Sequence, residues 1–241
     1  MKNYSIFPLG DSAITIDLGN CIDEKYNIKT LAIHSWLMEH PFPGRLDIIM
    51  AYSSVTVFYN PIVVAADRAP GSPGAYARLE ALLEQAWRET ETTAAPALTE
   101  GRLVELPVCY EGEYAPDLGS VAAEKGLSPD EVVQLHTSIV YRVYMMGFLP
   151  GFPYLGILDQ RLSIPRKPQP APVGAGGVGI AGRQTGIYPL NSPGGWQIIG
   201  RTPVRLFDPA ATSPLLLQAG DRVRFLAIGA AEFRRLSARP G

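Results

Sequence analysis

Groups that could bind a small, oxygen-rich ligand are concentrated in the last third of the chain. The segment SPGGW at residues 192–196 would present consecutive backbone amides in a tight turn beside an indole ring. Such a turn suits a carboxylate, carbonyl or phosphate oxygen. We therefore predict four substrate-binding residues in this segment: Ser192, Gly194, Gly195 and Trp196.

A second group of polar side chains flanks this turn. Gln184 and Thr185 add an amide and a hydroxyl, and with Arg166 they are predicted to bind substrate. Tyr188 adds a phenol and Arg201 a guanidinium, and both are predicted to be catalytic. Because arginine pairs with anions through two parallel hydrogen bonds, an anionic ligand is favoured. The alternative interpretation is that these residues only cap turns and cover strand edges.

His136 is the third catalytic candidate. It follows the sequence Ser128-Pro129-Asp130-Glu131, a capping box that predicts a short helix running toward His136. A neutral imidazole at the end of that helix could act as acid, base or hydrogen-bond donor. A structural role at the helix end is the alternative. The three histidines show no paired metal-ligand spacing, so no metal centre is predicted.

Composition excludes several classes of protein. The 241 residues carry a formal net charge of −2, and the scattered Lys and Arg residues lack the basic footprint of a nucleic-acid binder. No segment approaches the roughly 20 apolar residues that span a bilayer. We therefore expect a cytoplasmic protein that binds neither nucleic acid nor membrane. Arg183 and Gln184 stand where a phosphate loop needs Lys and Ser or Thr, so no ATP site is recognisable in this chain.

For the first part of the chain, the sequence predicts a mixture of strands and helices. Alternating apolar residues predict a strand at 13–18, and helical spacing predicts helices at about 24–38 and around residues 76–86. Two further strands are predicted at 46–50 and 54–59. Residues 90–101 lose apolar periodicity and contain a proline, which indicates a linker. We place an α/β N-terminal domain at residues 1–95.

The second part, residues 96–241, begins with a predicted strand at about 102–109. After the helix that leads to His136, short apolar runs alternate with Gly- and Pro-rich turns as far as residues 220–228. This spacing is typical of a mostly antiparallel barrel or sandwich. The fold class predicted for the whole chain is therefore α+β.

Several motifs together resemble the allophanate hydrolase subunit 1 family, and more narrowly the group of 5-oxoprolinase B subunits within it. The motifs are GFLPGFPYLG at 147–156, IPRK at 164–167, the long segment at 177–208, GDRVRF at 220–225, PLGDSAITIDLG at 8–19 and LPVCYEGEYAPDL at 106–118. They occur in the family's order and cover nearly the whole chain. The resemblance implies a small α/β N-terminal domain followed by a cyclophilin-like, mostly antiparallel β-barrel domain.

The resemblance also implies partners. Proteins of this group are similar to one component of a multi-subunit complex that uses ATP, with Mg as the expected ion, to open 5-oxoproline to glutamate. The partners would resemble the C and A subunits of 5-oxoprolinase, and the chain alone would be inactive and bind no cofactor. Phosphorylation of the lactam oxygen would make that oxygen a leaving group before water attacks.

Two other functions are compatible with the resemblance. The same group includes an inhibitor of a sensor histidine kinase, KipI, so the chain could instead be a regulatory module. The older family name points to allophanate and urea metabolism. The chain departs from the family's usual pattern at Ala171, Gly174 and Gly177, where Arg, Pro and Ser are expected. This departure weakens the prediction of anion contacts in that loop.

Overall fold

The computed structural model describes residues 3–66, 74–90 and 101–238. The chain forms two compact units, Met1–Glu100 and Gly101–Gly241. The predicted linker begins at Thr90, which ends a helix. The rest of the linker up to residue 100, including the predicted boundary between residues 95 and 96, lies outside the described residues.

The first unit contains an antiparallel four-stranded sheet in the order β1-β2-β4-β3. Its described elements are β1 (Ser5–Pro8), β2 (Ala13–Asp17), α1 (Glu24–Glu39), β3 (Arg45–Met50), β4 (Ser54–Tyr59), α2 (Pro61–Ala66) and α3 (Ala75–Glu89). Apolar side chains of β2, β4, α1 and α3 form one core, in which Ile14, Ile33 and Leu83 are almost fully buried. Burial of such side chains is the main stabilising term for a unit of this size.

Sequence patterns predicted most of this unit, but they missed β1 and α2. β1 is a short strand at the sheet edge with little apolar alternation. A start signal for α2 was nevertheless present. Asn60 accepts hydrogen bonds from the amides of Ile62 and Val63 at 3.0 and 3.2 Å, and Pro61 occupies the first helical position. Asn followed by Pro is a favoured way to begin a helix.

The second unit is built on a closed barrel with the strand order β10-β7-β6-β13-β5-β12-β9. Its strands are β5 (Leu103–Cys109), β6 (Val140–Met146), β7 (Pro153–Gly156), β8 (Ala171–Val173), β9 (Gly177–Ala181), β10 (Gln184–Ile187), β11 (Ser192–Gly194), β12 (Gln197–Arg201) and β13 (Arg222–Ile228). Its helices are α4 (Leu118–Lys125), α5 (Pro129–Thr137) and α6 (Ala230–Ser237). β8 and β11 pair with each other as a separate two-stranded sheet.

The barrel is mostly antiparallel, as predicted. β5 and β13 run parallel, and the other neighbouring pairs of the barrel are antiparallel. Side chains such as Tyr141, Leu155, Ile180 and Phe225 fill its interior. The mixed α/β fold with a β-barrel is therefore confirmed.

Helix α5 starts as predicted. The Ser128 hydroxyl accepts a hydrogen bond from the Glu131 amide at 3.2 Å, and the Glu131 carboxylate accepts one from the Ser128 amide at 2.7 Å. This reciprocal pair satisfies two amides that the first helical turn leaves without partners. In the described part of the chain, no helix is both long and apolar enough to cross a membrane.

Candidate functional site

A cleft of about 350 Å³ opens between the loop from β6 into β7, the segment before β8 and the segment that connects β10 to β12. Five aromatic rings line it: Phe148, Phe152, Tyr154, Tyr188 and Trp196. The remaining lining residues are Arg166, Lys167, Pro168, Pro170, Pro193, Gly194 and Gly195. We call this site the aromatic cleft. Its volume lies at the small end of the range for ligand sites, which favours a compact ligand.

The rings of the aromatic cleft hold one another at steep angles. Phe152 meets Tyr188 at 84° and Trp196 at 90°, with ring centroids 5.1 and 5.5 Å apart. Edge-to-face pairs of this kind are favoured by the quadrupoles of the rings. Gly186 makes the packing possible, because a Cβ there would lie 2.9 Å from Phe152 Cζ and 3.0 Å from Trp196 Cζ3.

Tyr188 is the polar centre of the aromatic cleft. Its side chain lies directly on Gly194, where a Cβ would be 2.6 Å from Tyr188 Cζ. The residue is 2% exposed, and burial raises the pKa of its phenol, which a hydrogen bond from the Trp196 backbone amide lowers in part. Tyr188 is thus a neutral phenol near pH 7 whose oxygen already accepts a bond. Within the described residues its proton has no assigned acceptor, so it can be donated to a ligand.

Two cations border the aromatic cleft, and they differ in their partners. Lys167 Nζ lies 2.6 Å from Asp117 Oδ2, and the same oxygen accepts a 2.6 Å hydrogen bond from the Ile198 amide. No carboxylate among the described residues pairs with Arg166, which is exposed. Burial raises the pKa values of Tyr154 and Tyr188, and the positive charge of Arg166 offsets part of that rise. Its guanidinium therefore acts on both phenols of the cleft.

Phe148 was not predicted as a site residue. Its φ is +67°, an uncommon value for a residue with a side chain, and its ring is 61% exposed although it lies edge-on to Phe152. Backbone strain and exposure of a large ring at a cleft are typical of functional positions. The signal was present in the sequence, because Phe148 belongs to the Gly- and Pro-rich motif at 147–156.

His136 and Thr185 do not lie in the aromatic cleft; they lie inside the barrel. His136 Nδ1 is 2.8 Å from the Tyr110 hydroxyl, and Nε2 is 2.9 Å from Thr185 Oγ1. Thr185 donates to the Gly179 carbonyl at 3.1 Å. Thr185 must therefore accept from Nε2–H, and Tyr110 must donate to Nδ1.

Burial lowers the pKa of His136 to about 3, because the barrel interior disfavours the charged ring. His136 is 0% exposed and both of its ring nitrogens are bonded. A catalytic acid or base needs access to substrate. The geometry thus favours a structural role for His136 over a catalytic one. It favours a structural role for Thr185 as well, because Thr185 is a hydrogen-bond partner of His136.

Three other predicted site residues, Gln184, Ser192 and Arg201, do not line the aromatic cleft. Gln184 begins β10. Ser192 lies in β11 and lines a neighbouring shallow pocket, and its buried hydroxyl has no partner among the described residues. Arg201 Nε donates to the Ala175 carbonyl at 2.8 Å. Arg201 therefore braces the glycine-rich turn and does not reach the cleft.

One of the unusual residues near Arg201, Gly177, has a steric explanation. Gly174 lies against the Arg201 guanidinium, and a Cβ would be 3.1 Å from Nη2. A Cβ on Gly177 would be 2.7 Å from Val173 Cγ1. Gly177 is therefore packed too closely for the expected serine, whereas at Gly174 only the end of the Arg201 side chain would have to give way. No comparable constraint explains Ala171, which is half-buried in β8.

The structure thus brings together five of the predicted site residues: Arg166, Tyr188, Gly194, Gly195 and Trp196. The cleft they form can stack a flat ring, donate a hydrogen bond to a carbonyl or phosphoryl oxygen, and attract a negative charge. Its lining residues include no Asp, Glu, His, Ser or Cys. The cleft can therefore bind a flat ligand and polarise its carbonyl or phosphoryl oxygen. It has no base of its own to activate water.

Comparisons with known proteins agree with this architecture. Residues 4–217 match the family model "Carboxyltransferase domain, subdomain C and D". The chain is 44% identical to the B subunit of 5-oxoprolinase from Bacillus subtilis over 231 residues, which is 95% of each chain. It is 40% identical to the protein of the same name from Escherichia coli O157:H7, over 94% of this chain and 97% of that protein.

Longer proteins contain similar regions. The chain is 33% identical to part of the urea amidolyase of Saccharomyces cerevisiae, over 48% of this chain and 7% of that protein. The crystal structure of the urea amidolyase of K. lactis shares the fold, with a TM-score of 0.76 at 19% identity, over 96% of this chain and 15% of that chain. The chain belongs to the carboxyltransferase domain, subdomain C and D, family, and within it to the group of 5-oxoprolinase B subunits.

Proposed function

We propose that the chain is one component of an ATP-dependent 5-oxoprolinase complex that opens 5-oxo-L-proline to L-glutamate, and that the aromatic cleft holds the lactam. The observation that carries the proposal is the combination, in one small cleft, of a buried phenol donor and an arginine without a carboxylate partner among the described residues. Similarity to 5-oxoprolinase B subunits along almost the whole chain supports it.

The chemistry of the aromatic cleft fits this substrate. 5-Oxoproline is a compact five-membered ring with a carbonyl oxygen at one carbon and a carboxylate at another. Aromatic faces can sandwich the flat lactam, and the Tyr188 hydroxyl can donate to its carbonyl oxygen. Burial keeps the pKa of Tyr188 above its ordinary value, so the group acts as a donor near pH 7 and not as a base.

ATP would solve the main chemical difficulty, which is that a lactam is a poor electrophile. Transfer of the γ-phosphoryl group to the lactam oxygen releases ADP and the ring nitrogen's proton. Water then adds at the phosphorylated carbon, and the carbon–nitrogen bond breaks to give γ-glutamyl phosphate. A second water releases phosphate, so 5-oxoproline, ATP and two waters become glutamate, ADP and phosphate.

The lining of the aromatic cleft also supports a need for partners. Because no lining residue can serve as a general base at neutral pH, the group that activates water must come from elsewhere. We propose that proteins similar to the C and A subunits of 5-oxoprolinase supply it, bind ATP with magnesium, and work with this chain in the cytoplasm. The chain alone is then inactive.

Reconstitution with each component omitted in turn tests the proposal. The full chain is mixed with its candidate partner proteins, 5-oxo-L-proline, ATP and magnesium, and both glutamate and ADP are measured. Both products are expected only when this chain is present. Equal product formation by the partners without this chain would overturn the proposal.

A second candidate function is a role in urea metabolism, which the 33% identity to part of a urea amidolyase favours. The same reconstituted mixture with urea or allophanate in place of 5-oxoproline distinguishes the two. ADP release that depends on urea and bicarbonate, or ammonia release from allophanate, without dependence on 5-oxoproline would establish the second function. Inhibition of a sensor histidine kinase stays a prediction, and a kinase autophosphorylation assay with added chain would test it.

A further inference from the structure

The two ends of the aromatic cleft have different chemistry. Tyr188 lies at the buried end, where its hydroxyl accepts a hydrogen bond from the Trp196 amide, whereas Arg166 lies at the exposed rim. A ligand with one carbonyl and one carboxylate therefore has a preferred direction in the cleft. We propose that Arg166 binds the carboxylate of the substrate and selects 5-oxoproline over lactams without that charge; the inference rests on the proposed function.

The charge balance of the aromatic cleft singles out Arg166. Its lining residues include two cations and no carboxylate. Lys167 is neutralised by Asp117, with 2.6 Å between Nζ and Oδ2. The unbalanced charge is thus that of Arg166, and an anionic group on the ligand is the natural counterion. Arg201, the other arginine nominated by the sequence, is bonded to Ala175 and points elsewhere.

The backbone holds Arg166 at the rim. The next residue, Lys167, donates its amide hydrogen to the Gly195 carbonyl at 2.7 Å, and its side chain is fixed to Asp117. On the other side, an added Cβ at Gly195 would be 3.8 Å from Arg166 Cβ. The backbone at Arg166 is therefore held beside the SPGGW turn, while its exposed guanidinium can move toward a carboxylate. A fixed backbone reduces the entropy lost on binding.

The position of Arg166 also limits the size of its ligand. Arg166 and Tyr188 line the same cleft of about 350 Å³, so the guanidinium and the phenol donor flank one small volume. A single ring that bears both groups can reach both partners at once.

Substrate charge and the arginine can be removed separately in the reconstituted complex. Wild type and Arg166→Gln are compared with 5-oxo-L-proline and with its neutral amide, 5-oxo-L-prolinamide, as substrate or competitor. Wild type is expected to prefer the acid, and Arg166→Gln is expected to reduce that preference about 10- to 100-fold, the range for a hydrogen bond to a charged group. The loss should appear in KM for the acid, with binding of the amide unchanged.

Arg161→Gln serves as the matched control, because it removes an exposed arginine that pairs with Asp159 and lies outside the cleft lining. It should leave the preference unchanged. Equal preference for acid and amide in wild type would overturn the inference, as would an unchanged preference in Arg166→Gln. Absence of any 5-oxoproline turnover in the wild-type complex would instead overturn the proposed function, so the two failures are distinguishable.

Discussion

The barrel unit contains two clusters centred on a tyrosine hydroxyl, and they differ in how much hydrogen-bonding capacity remains. Around Tyr110, the chain of bonds through His136 and Thr185 uses the hydroxyl, both ring nitrogens and the threonine. Around Tyr188, the phenol accepts from Trp196 and keeps its proton, and nearby Arg166 has no carboxylate partner among the described residues.

Unused hydrogen-bonding capacity distinguishes structural residues from functional ones better than residue type does. His136 is the residue that chemistry would nominate first, yet every polar atom of its ring is satisfied within the barrel. A buried polar group without a partner is costly, so natural structures rarely keep one without a reason. The unused hydrogen-bonding capacity in the aromatic cleft therefore indicates a ligand. The cluster of Tyr110, His136 and Thr185, which we call the saturated cluster, has no unused capacity, which indicates a role in stability.

Gly194→Ala should have the largest effect, because it displaces the whole phenol. The new Cβ would lie 2.6 Å from Tyr188 Cζ, so the ring must move and its bond with the Trp196 amide must break. We expect kcat/KM of the reconstituted complex to fall more than about 100-fold, together with overpacking that costs about 1–3 kcal/mol of unfolding free energy. Steady-state kinetics and urea unfolding measure the two effects.

The neighbouring Gly195→Ala is the matched control. Its nearest contacts would be Arg166 Cβ and the Lys167 carbonyl oxygen, both at 3.8 Å, which is ordinary van der Waals distance. We expect a clearly smaller loss of activity than in Gly194→Ala and little change in stability, since an added methyl group without close contacts costs little. Equal losses of activity in both variants would mean that the turn requires the flexibility of glycine, and not the close contact between Gly194 and the Tyr188 ring.

Tyr188→Phe should reduce activity strongly, and loss of the acceptor for the Trp196 amide should cost about 1 kcal/mol of unfolding free energy. The change removes the donor to the lactam oxygen and leaves the ring packing intact. Loss of one preorganised donor at a developing oxyanion typically lowers kcat by about 100- to 1000-fold. Rapid-quench measurement of ADP formation, with urea unfolding in parallel, gives both quantities. Full activity in this variant would remove Tyr188 from the mechanism.

Tyr110→Phe should show the opposite result. It leaves His136 Nδ1 without a donor in a fully buried place, which costs about 1–3 kcal/mol. The aromatic cleft is untouched, so kcat measured well below the unfolding temperature should stay near the wild-type value. A stable but inactive variant would contradict the division between the two clusters.

Acid should weaken the saturated cluster through His136. Burial lowers the pKa of His136 to about 3 in the folded protein, whereas an ordinary histidine titrates near 6.5. Between these values only the unfolded chain takes up the proton, so stability falls as pH falls, by about 1.4 kcal/mol per unit. From pH 7 to pH 5 the contribution is about 2 kcal/mol.

Urea unfolding at pH 7 and pH 5 measures this contribution in wild type and in His136→Gln. The variant is less stable at pH 7, but its stability should depend less on pH by about the same 2 kcal/mol. His34, whose pKa burial also lowers, contributes with the same sign in both proteins and so cancels in the comparison. Identical pH dependence in the two proteins would show that His136 does not stay neutral.

The sequence predicted local structure well and the site less completely. The α5 start depends on side chains three residues apart, so a capping box was enough to find it. The sequence could not show which face of β10 lines the cleft. Strand side chains alternate, so Thr185 faces His136 inside the barrel, while Gly186 lies under Phe152 and Trp196 on the cleft side. Only closure of the barrel decides which face is which.

Asp117→Asn should have the smallest effect and sharpen the role of Arg166. The substitution keeps an oxygen for the Ile198 amide but removes the charge that holds Lys167, a pair whose side chains are 17% and 21% exposed. We expect a loss of about 1 kcal/mol in unfolding free energy, because the pair is partly screened by solvent. KM for 5-oxoproline should stay within about threefold, since the unpaired Arg166 remains in place. A rise in KM as large as that of Arg166→Gln would show that the Asp117–Lys167 pair, and not the free guanidinium, organises the carboxylate end of the cleft.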